Sequence, residues 1–348
     1  MVDSQRNPIG LAFSATRSPI ALRFLTREVT QPVNDAFFRA RLEQSIARRS
    51  VLGSRDGVRL VHGESDGIPG LFVDRYGDGL CLQTLSEGAD ARKESFARML
   101  KSITGVRIVV CRDAASGRDF ELLPRETRVL LGDGSPRCTY HEGENAFEVD
   151  LLGDMKTGAF LDQVDNHLRA GELARGEALD CFSYHGGFAL QLARRATSVL
   201  AIEQDPTAAA RLLVNAERNG LKDKVTVNAA NAFDVLTQAD RSGQKFDTIV
   251  LDPPGFVKRQ EGMGTALRAY RELNLRALKC LRPEGIFVTC SCSGKLTREA
   301  FEELVVSAAQ DAHRTVQVIE RRGAGWDHPV LLGLPESEYL KALFLRVL

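Results

Sequence analysis

At 348 residues the chain is long enough for two or three domains. Its 43% hydrophobic content suits ordinary globular cores, and no run approaches the roughly 18–20 apolar residues of a membrane span. A formal net charge of +0 argues against a protein that coats nucleic acid nonspecifically, and seven scattered cysteines, an odd number, argue against a disulfide framework. The polar start Met1-Val2-Asp3-Ser4-Gln5-Arg6 does not read as a signal peptide, so a cytoplasmic location without a membrane partner is expected.

Over residues 1–60, ten Arg and no Lys stand against five acids. This local balance of +5 favours an anionic partner near the amino end, unless the arginines only line a solvated helix. Residues 10–26 read as one or two short strands, with Pro8 and Pro19 as breaks, and are too little for a core of their own. Asn34 can cap a helix running to about Ser50, with Phe38, Leu42 and Ile46 on one side. From Val58 to Leu85, short strands punctuated by Asp66-Gly67, Pro69-Gly70 and Gly77-Asp78-Gly79 read as a meander of hairpins. A helix over Ala91–Ile103, a strand over Arg107–Cys111 and further strand-like text around a loop at 133–136 complete a small α+β module. Nothing in that module has a catalytic pattern.

From Phe147 onward strand and helix patterns alternate: Ala178–Phe182 then Phe188–Arg195, Val199–Glu203 then Pro206–Asn219, Val225–Ala229 then Ala232–Gln238, Thr248–Leu251 then Thr265–Leu281, and Ile286–Cys290 then Thr297–Gln310. Such alternation predicts a parallel, doubly wound α/β sheet, which Val316–Glu320 and Tyr339–Val347 would finish. Asp205, Pro206 and Gly220 punctuate the second helix as cap, first residue and stop.

Ligands of such sheets bind beyond the carboxyl ends of the strands, so the residues after each strand carry the functional reading. After the first strand come Ser183, Tyr184, His185, Gly186 and Gly187, a glycine turn without a dinucleotide or phosphate-loop fingerprint. That combination suggests S-adenosylmethionine (SAM). After the second, Glu203 is placed to accept hydrogen bonds from ribose hydroxyls. After the third, Asn231 can read an adenine edge, cap the next helix, or both. After the fourth, Asp252-Pro253-Pro254-Gly255-Phe256 is a stiff loop that would bring an acid and an aromatic ring to a planar substrate. After the fifth stands Thr289-Cys290-Ser291-Cys292-Ser293-Gly294, in which the two cysteines lack the second ligand pair that a metal site needs. A cysteine at position 292 supplies what cytosine C5 methylation requires, because C5 is a poor nucleophile until a thiolate adds to C6.

With these motifs the sequence resembles the bacterial 23S rRNA cytosine-5 methyltransferases that carry an N-terminal PUA domain, a small central domain and a class I SAM fold. The resemblance runs over nearly the whole chain, through 63–70, 73–77, 156–163, 180–188, 252–256, 291–294 and 327–329. It implies a SAM-dependent rRNA methyltransferase with Cys292 as nucleophile and Asp252 on the base. It also implies that Pro253, Pro254 and Phe256 line the substrate. Phe160, Asp162, Gln163, Phe182, Ser183, Tyr184, Gly186 and Gly187, with Asp252 at the edge, would lie against the cofactor. Glu203 would hold its ribose and Asn231 its adenine. The implied domains are a partial PUA-like segment over 1–27, a central α+β domain over 28–145 and the methyltransferase domain over 146–348, with large-subunit rRNA as partner. Three positions depart from the family pattern: only the last PUA strands are evident, Gly255 stands where relatives often have Lys, and Asn231 stands where many class I enzymes place Asp. Cys290, two residues before Cys292, would share its face on a strand and could assist release. Left open are methylation of a guanine nitrogen or another rRNA base without a covalent step, a noncatalytic SAM- or RNA-binding role in ribosome assembly, and homodimer formation.

Overall fold

The computed structural model describes residues 1–16, 18–256 and 263–348. The chain forms two compact units, one comprising Met1–His141, Glu148–Leu161 and Trp326–Leu334, the other Glu142–Phe147, Asp162–Gly325 and Pro335–Leu348.

In the first unit, β1 (Leu11–Ser14) and β2 (Leu22–Thr26) pair as an antiparallel hairpin. Helix α1 (Asp35–Arg48) begins where the Asn34 side chain accepts a hydrogen bond from the Phe37 amide at 3.1 Å. Its Phe38 and Leu42 are buried, with Phe38 edge-on to Phe96 at 5.3 Å. The meander is β3 (Gly57–His62), β4 (Leu71–Tyr76) and β5 (Gly79–Thr84). Helices α2 (Glu87–Asp90) and α3 (Lys93–Thr104) then carry the chain over the sheet, so β6 (Ile108–Asp113) can pair parallel to β5 before β7 (Glu126–Leu131) closes the edge. The sheet order is β3-β4-β5-β6-β7. Strands β8 (Arg137–Glu142) and β9 (Asn145–Asp150) form a separate hairpin.

The arginine excess of the amino end is largely answered within this unit. Arg23 pairs with Glu64 and Glu121, Arg39 with Glu43, Arg49 with Asp66 and Arg59 with Asp74. Arg41 lies over the Phe37 ring and donates to backbone carbonyls, and Arg17 lies outside the described residues. Most of the acids that pair with these arginines lie beyond residue 60, outside the window that gave the local balance of +5.

The second unit opens with α4 (Val164–Leu173) and continues β10 (Glu177–Cys181), α5 (Gly187–Ala193), β11 (Ser198–Ile202), α6 (Pro206–Arg218), β12 (Val225–Asn228), α7 (Ala232–Ser242), β13 (Phe246–Leu251), α8 (Met263–Cys280), β14 (Leu281–Ser291), α9 (Arg298–Asp311), β15 (Val316–Arg322) and β16 (Lys341–Val347). Its seven strands run in the order β12-β11-β10-β13-β14-β16-β15, parallel from β12 to β14, with β16 antiparallel to both of its neighbours. The doubly wound sheet expected from the alternation is therefore present. Asp205 caps α6 by accepting from the Thr207 amide at 2.7 Å, and Pro206 occupies the first turn, where no amide donor is needed. The core gathers Leu179, Ile249, Phe287 and Phe301, all fully buried. Among the described residues, no helix is long and apolar enough to cross a membrane.

Candidate active site

The sheet's topological switch point lies between β10 and β13, whose ends are in register at Cys181 and Leu251. The chain leaves β10 to one side and β13 to the other, and this opens the crevice where open α/β sheets take ligands. The loop after β10 is conformationally unusual: Phe182, Tyr184 and Gly186 all have left-handed φ values, of 68°, 47° and 94°. Two of them are not glycine, and such strain concentrates at ligand sites. The loop is held by Ile202, whose carbonyl accepts from the Phe182 and Ser183 amides at 2.9 and 3.0 Å. The Tyr184 ring stacks on His185 at 3.7 Å, and burial, aided by Arg211, pushes the His185 pKa down to about 3, so this ring stays neutral.

Gly187 has a different reason for lacking a side chain. A Cβ there would fall 2.3 Å from the His167 ring, so this glycine lets α5 close onto α4. His167 in turn bonds Glu142 at 2.7 Å, and although burial opposes its charge, Glu142, Asp252 and Asp180 hold its pKa above the ordinary value.

Glu203 stands at the end of β11 with both oxygens engaged, Oε2 by the Tyr184 amide and Oε1 by the Asp205 amide, each at 2.8 Å. It thus ties the first loop to the second. Asn231 caps α7 by accepting from the Phe233 amide at 2.9 Å, while its amide nitrogen approaches Gln204. Asp162 is buried and accepts from the Tyr339 hydroxyl at 2.7 Å, and the Gln163 side chain accepts from Asn166 Nδ2 at 2.6 Å. Phe160 belongs to the first unit, where Lys156 lies over its ring at 4.0 Å.

Asp180, in β10, is a further candidate that the motifs did not single out. It is fully buried, and neither carboxylate oxygen has a well-formed hydrogen bond. Burial raises its pKa to about 7; Ser183 and His167 oppose the rise and Asp252 adds to it. Across β13, the buried Thr289 hydroxyl of β14 also lacks a partner. The only signal in the sequence was an acid inside an otherwise apolar strand, Leu179-Asp180-Cys181.

The loop after β13 keeps its start close to β10, with the Asp252 amide 3.5 Å from the Cys181 carbonyl. Pro253 is buried and Pro254 exposed. Phe256 is half-buried, with its ring 4.8 Å from that of Tyr270. Gly255 turns its open side to Cys292: a Cβ there would lie 3.5 Å from the Cys292 sulfur. The structure thus brings the Asp252–Phe256 loop and Cys292 together. Cys292 is also bracketed, because the Tyr270 hydroxyl meets Ser291 Oγ at 3.2 Å and Ser293 Oγ at 3.1 Å.

Of the seven cysteines, six are buried and Cys292 is half-exposed. Burial, followed by Asp252, pushes the Cys290 thiol well above the ordinary range. Strand β14 ends at Ser291, so Cys292 follows the strand, and its charge still bears on the Cys290 thiol. Cys290 is a fully buried core thiol. Among the described residues, Cys111, Asp113 and Glu126 cluster as metal ligands would, but Lys93 and Arg118 already supply cations to that group.

The family described as Conserved hypothetical protein 95 matches residues 158–316. The ribosomal RNA large subunit methyltransferase I of Photobacterium profundum is 37% identical over 93% of this chain and 84% of its own length. The chain belongs to the ribosomal RNA large subunit methyltransferase I family. The family's protein from Tolumonas auensis is likewise 37% identical, over 95% of this chain and 85% of its own. In three dimensions the chain is similar to a Streptococcus mutans protein classed by its name among SAM-dependent methyltransferases, with a TM-score of 0.85, 18% identity and coverage of 99% and 90%. The fold is thus the class I SAM-methyltransferase fold, here in a member of the large subunit methyltransferase I family.

Proposed function

We propose that this chain transfers a methyl group from SAM to C5 of a cytosine in large-subunit ribosomal RNA, through a covalent adduct between Cys292 and cytosine C6. The observation that carries the reading is the convergence of the half-exposed Cys292 with the Asp252–Phe256 loop beside the switch point. A nucleophile, an acid able to bond the base edge and a rigid loop wall then meet where the sheet opens.

The residues present fit SAM. The cofactor carries an ammonium and a sulfonium, and Asp180 offers a buried carboxylate with no well-formed hydrogen bond of its own. Glu203 and Asn231 would hold the ribose and adenine, with Phe182–Tyr184 as the loop between. When bound, the cofactor supplies an electrophilic methyl to the C5 carbon.

This chain's residues do the rest. The Cys292 thiolate adds to C6, forming the C–S bond and pushing the ring electrons toward C5. Asp252 accepts from the exocyclic amine and orients the ring, while Pro253 and Pro254 limit loop movement. After methylation, loss of the C5 proton to a base lets the C–S bond break, and Cys292 leaves as thiolate with the electron pair.

The test is methyl transfer from labelled SAM to unmodified large-subunit rRNA, followed by nucleoside analysis. Wild type should yield 5-methylcytidine and Cys292→Ala none. Methylguanosine from both proteins would overturn the reading.

A further inference from the structure

Strand β16 enters the sheet beside β14, and its first residue, Lys341, is in register with Ser291, the residue before Cys292. A lysine usually carries its ammonium into water, yet Lys341 is only 2% exposed. Two backbone carbonyls hold it: Nζ donates to Ser293 at 2.6 Å and to Tyr339 at 2.8 Å. One of these carbonyls belongs to the residue that follows Cys292. The ammonium is therefore fixed on the same short segment that Tyr270 grips through Ser291 and Ser293.

We propose that Lys341 is a positioning residue for the nucleophile, its buried ammonium fixing the carbonyl of Ser293, the residue after Cys292, and favouring the Cys292 thiolate. This inference rests on the reading of Cys292 as the attacking group. The charged and titratable groups that face Lys341 are Cys292, Arg298 and Glu338. Among the described residues, those that face Cys292 include Lys341, the Tyr270 phenol and Cys290. Burial raises the Tyr270 phenol and the Cys290 thiol further above their ordinary values, so neither adds an anion beside the sulfur at pH 7. Lys341 is a cation that bears on it.

Burial lowers the Lys341 ammonium to about 8, against an upward pull from the Cys292 thiolate. The attraction is mutual, so the charge that keeps a proton on Lys341 also drives one off Cys292. The ammonium remains mostly protonated at pH 7 and loses its proton as the pH passes about 8, so its help to the thiolate is greatest near neutrality. Arginine could replace the charge, although its planar fork is a poorer match to two carbonyls met by a compact ammonium.

The experiment is the pH profile of Cys292 alkylation by iodoacetamide on the full-length protein without RNA or SAM, read by peptide mass spectrometry with fragment ions that separate Cys290 from Cys292. The thiolate displaces iodide, forming C–S and breaking C–I, so the rate follows the thiolate fraction. Wild type should show a midpoint below the ordinary cysteine value of about 8.5. Lys341→Met should raise that midpoint and slow alkylation at pH 7, by about tenfold for each unit the midpoint moves. Lys341→Arg should keep most of the wild-type rate. A wild-type midpoint at or above the ordinary value would overturn the proposal, and it decides the matter even if Lys341→Met fails to fold. An unchanged profile in a folded Lys341→Met would also overturn it. The two readings fail separately: a lowered midpoint without 5-methylcytidine sinks the proposed reaction, while 5-methylcytidine without a lowered midpoint sinks only the role of Lys341.

Discussion

The first unit pairs its prominent buried ions, whereas the second pairs some, such as His167 with Glu142, and leaves others without a counter-ion salt bridge. In the first, buried ions are matched. Asp66 takes both guanidinium nitrogens of Arg49 at 2.7 Å and the His62 amide as well. Asp74 takes Arg59 and the Thr157 hydroxyl, and Lys93 is surrounded by Asp90, Asp113 and Glu126. In the second, Asp180 lies fully buried at the switch point without a well-formed hydrogen bond, and the Lys341 ammonium rests on carbonyls beside Cys292. A matched buried charge fixes a fold, whereas an unmatched one carries a solvation cost that a ligand or a reacting group can relieve.

That contrast breaks most visibly at Asp66. Asp66→Ala should strand Arg49 in the interior and destabilise the protein by about 3–5 kcal/mol, the range for half of a buried pair, in chemical denaturation. A loss under about 1 kcal/mol, the level of an exposed pair, would mean that the first unit's network is incidental.

Asp180 should behave in the reverse sense. Its folded-state pKa is raised to about 7 from the ordinary 3.8, so the folded form binds a proton that the unfolded form has released. Stability should therefore fall as the pH rises between those two values and level off above about 7. Asp180→Asn should flatten that slope in urea midpoints taken at pH 5 and pH 8 while weakening SAM binding by about tenfold or more, the scale of one lost charged hydrogen bond. A variant that keeps both the slope and the affinity would remove Asp180 from the cofactor's surroundings.

Much of this was legible in the sequence because the signals were local. Asn34 and Asp205 read as caps and serve as caps, and the alternation after Phe147 gave the parallel strands of the second unit in order. The loops at 183–187, 252–256 and 290–294 could be found because they follow strands. What remained hidden depends on partners distant in the chain. Charge counting over 1–60 could not see Glu64, Asp66, Asp74 and Glu121, which answer Arg23, Arg49 and Arg59. The approach of Lys341 to Cys292 depends on β16 inserting between β14 and β15, a register set across about fifty residues. The packing of Gly187 against His167, which a Cβ would prevent, could not be read from the loop itself.

The central claim is that Cys292 forms the bond to cytosine. The measurement that tests it most directly is incubation of the full-length protein and SAM with large-subunit rRNA in which cytidine is replaced by 5-fluorocytidine. Fluorine at C5 blocks the proton loss that would release the thiol. The account predicts a denaturant-stable protein–RNA adduct whose linked peptide contains Cys292, absent in Cys292→Ala. Steady methylation of normal rRNA with no trapped adduct, or an adduct on a different residue, would contradict it.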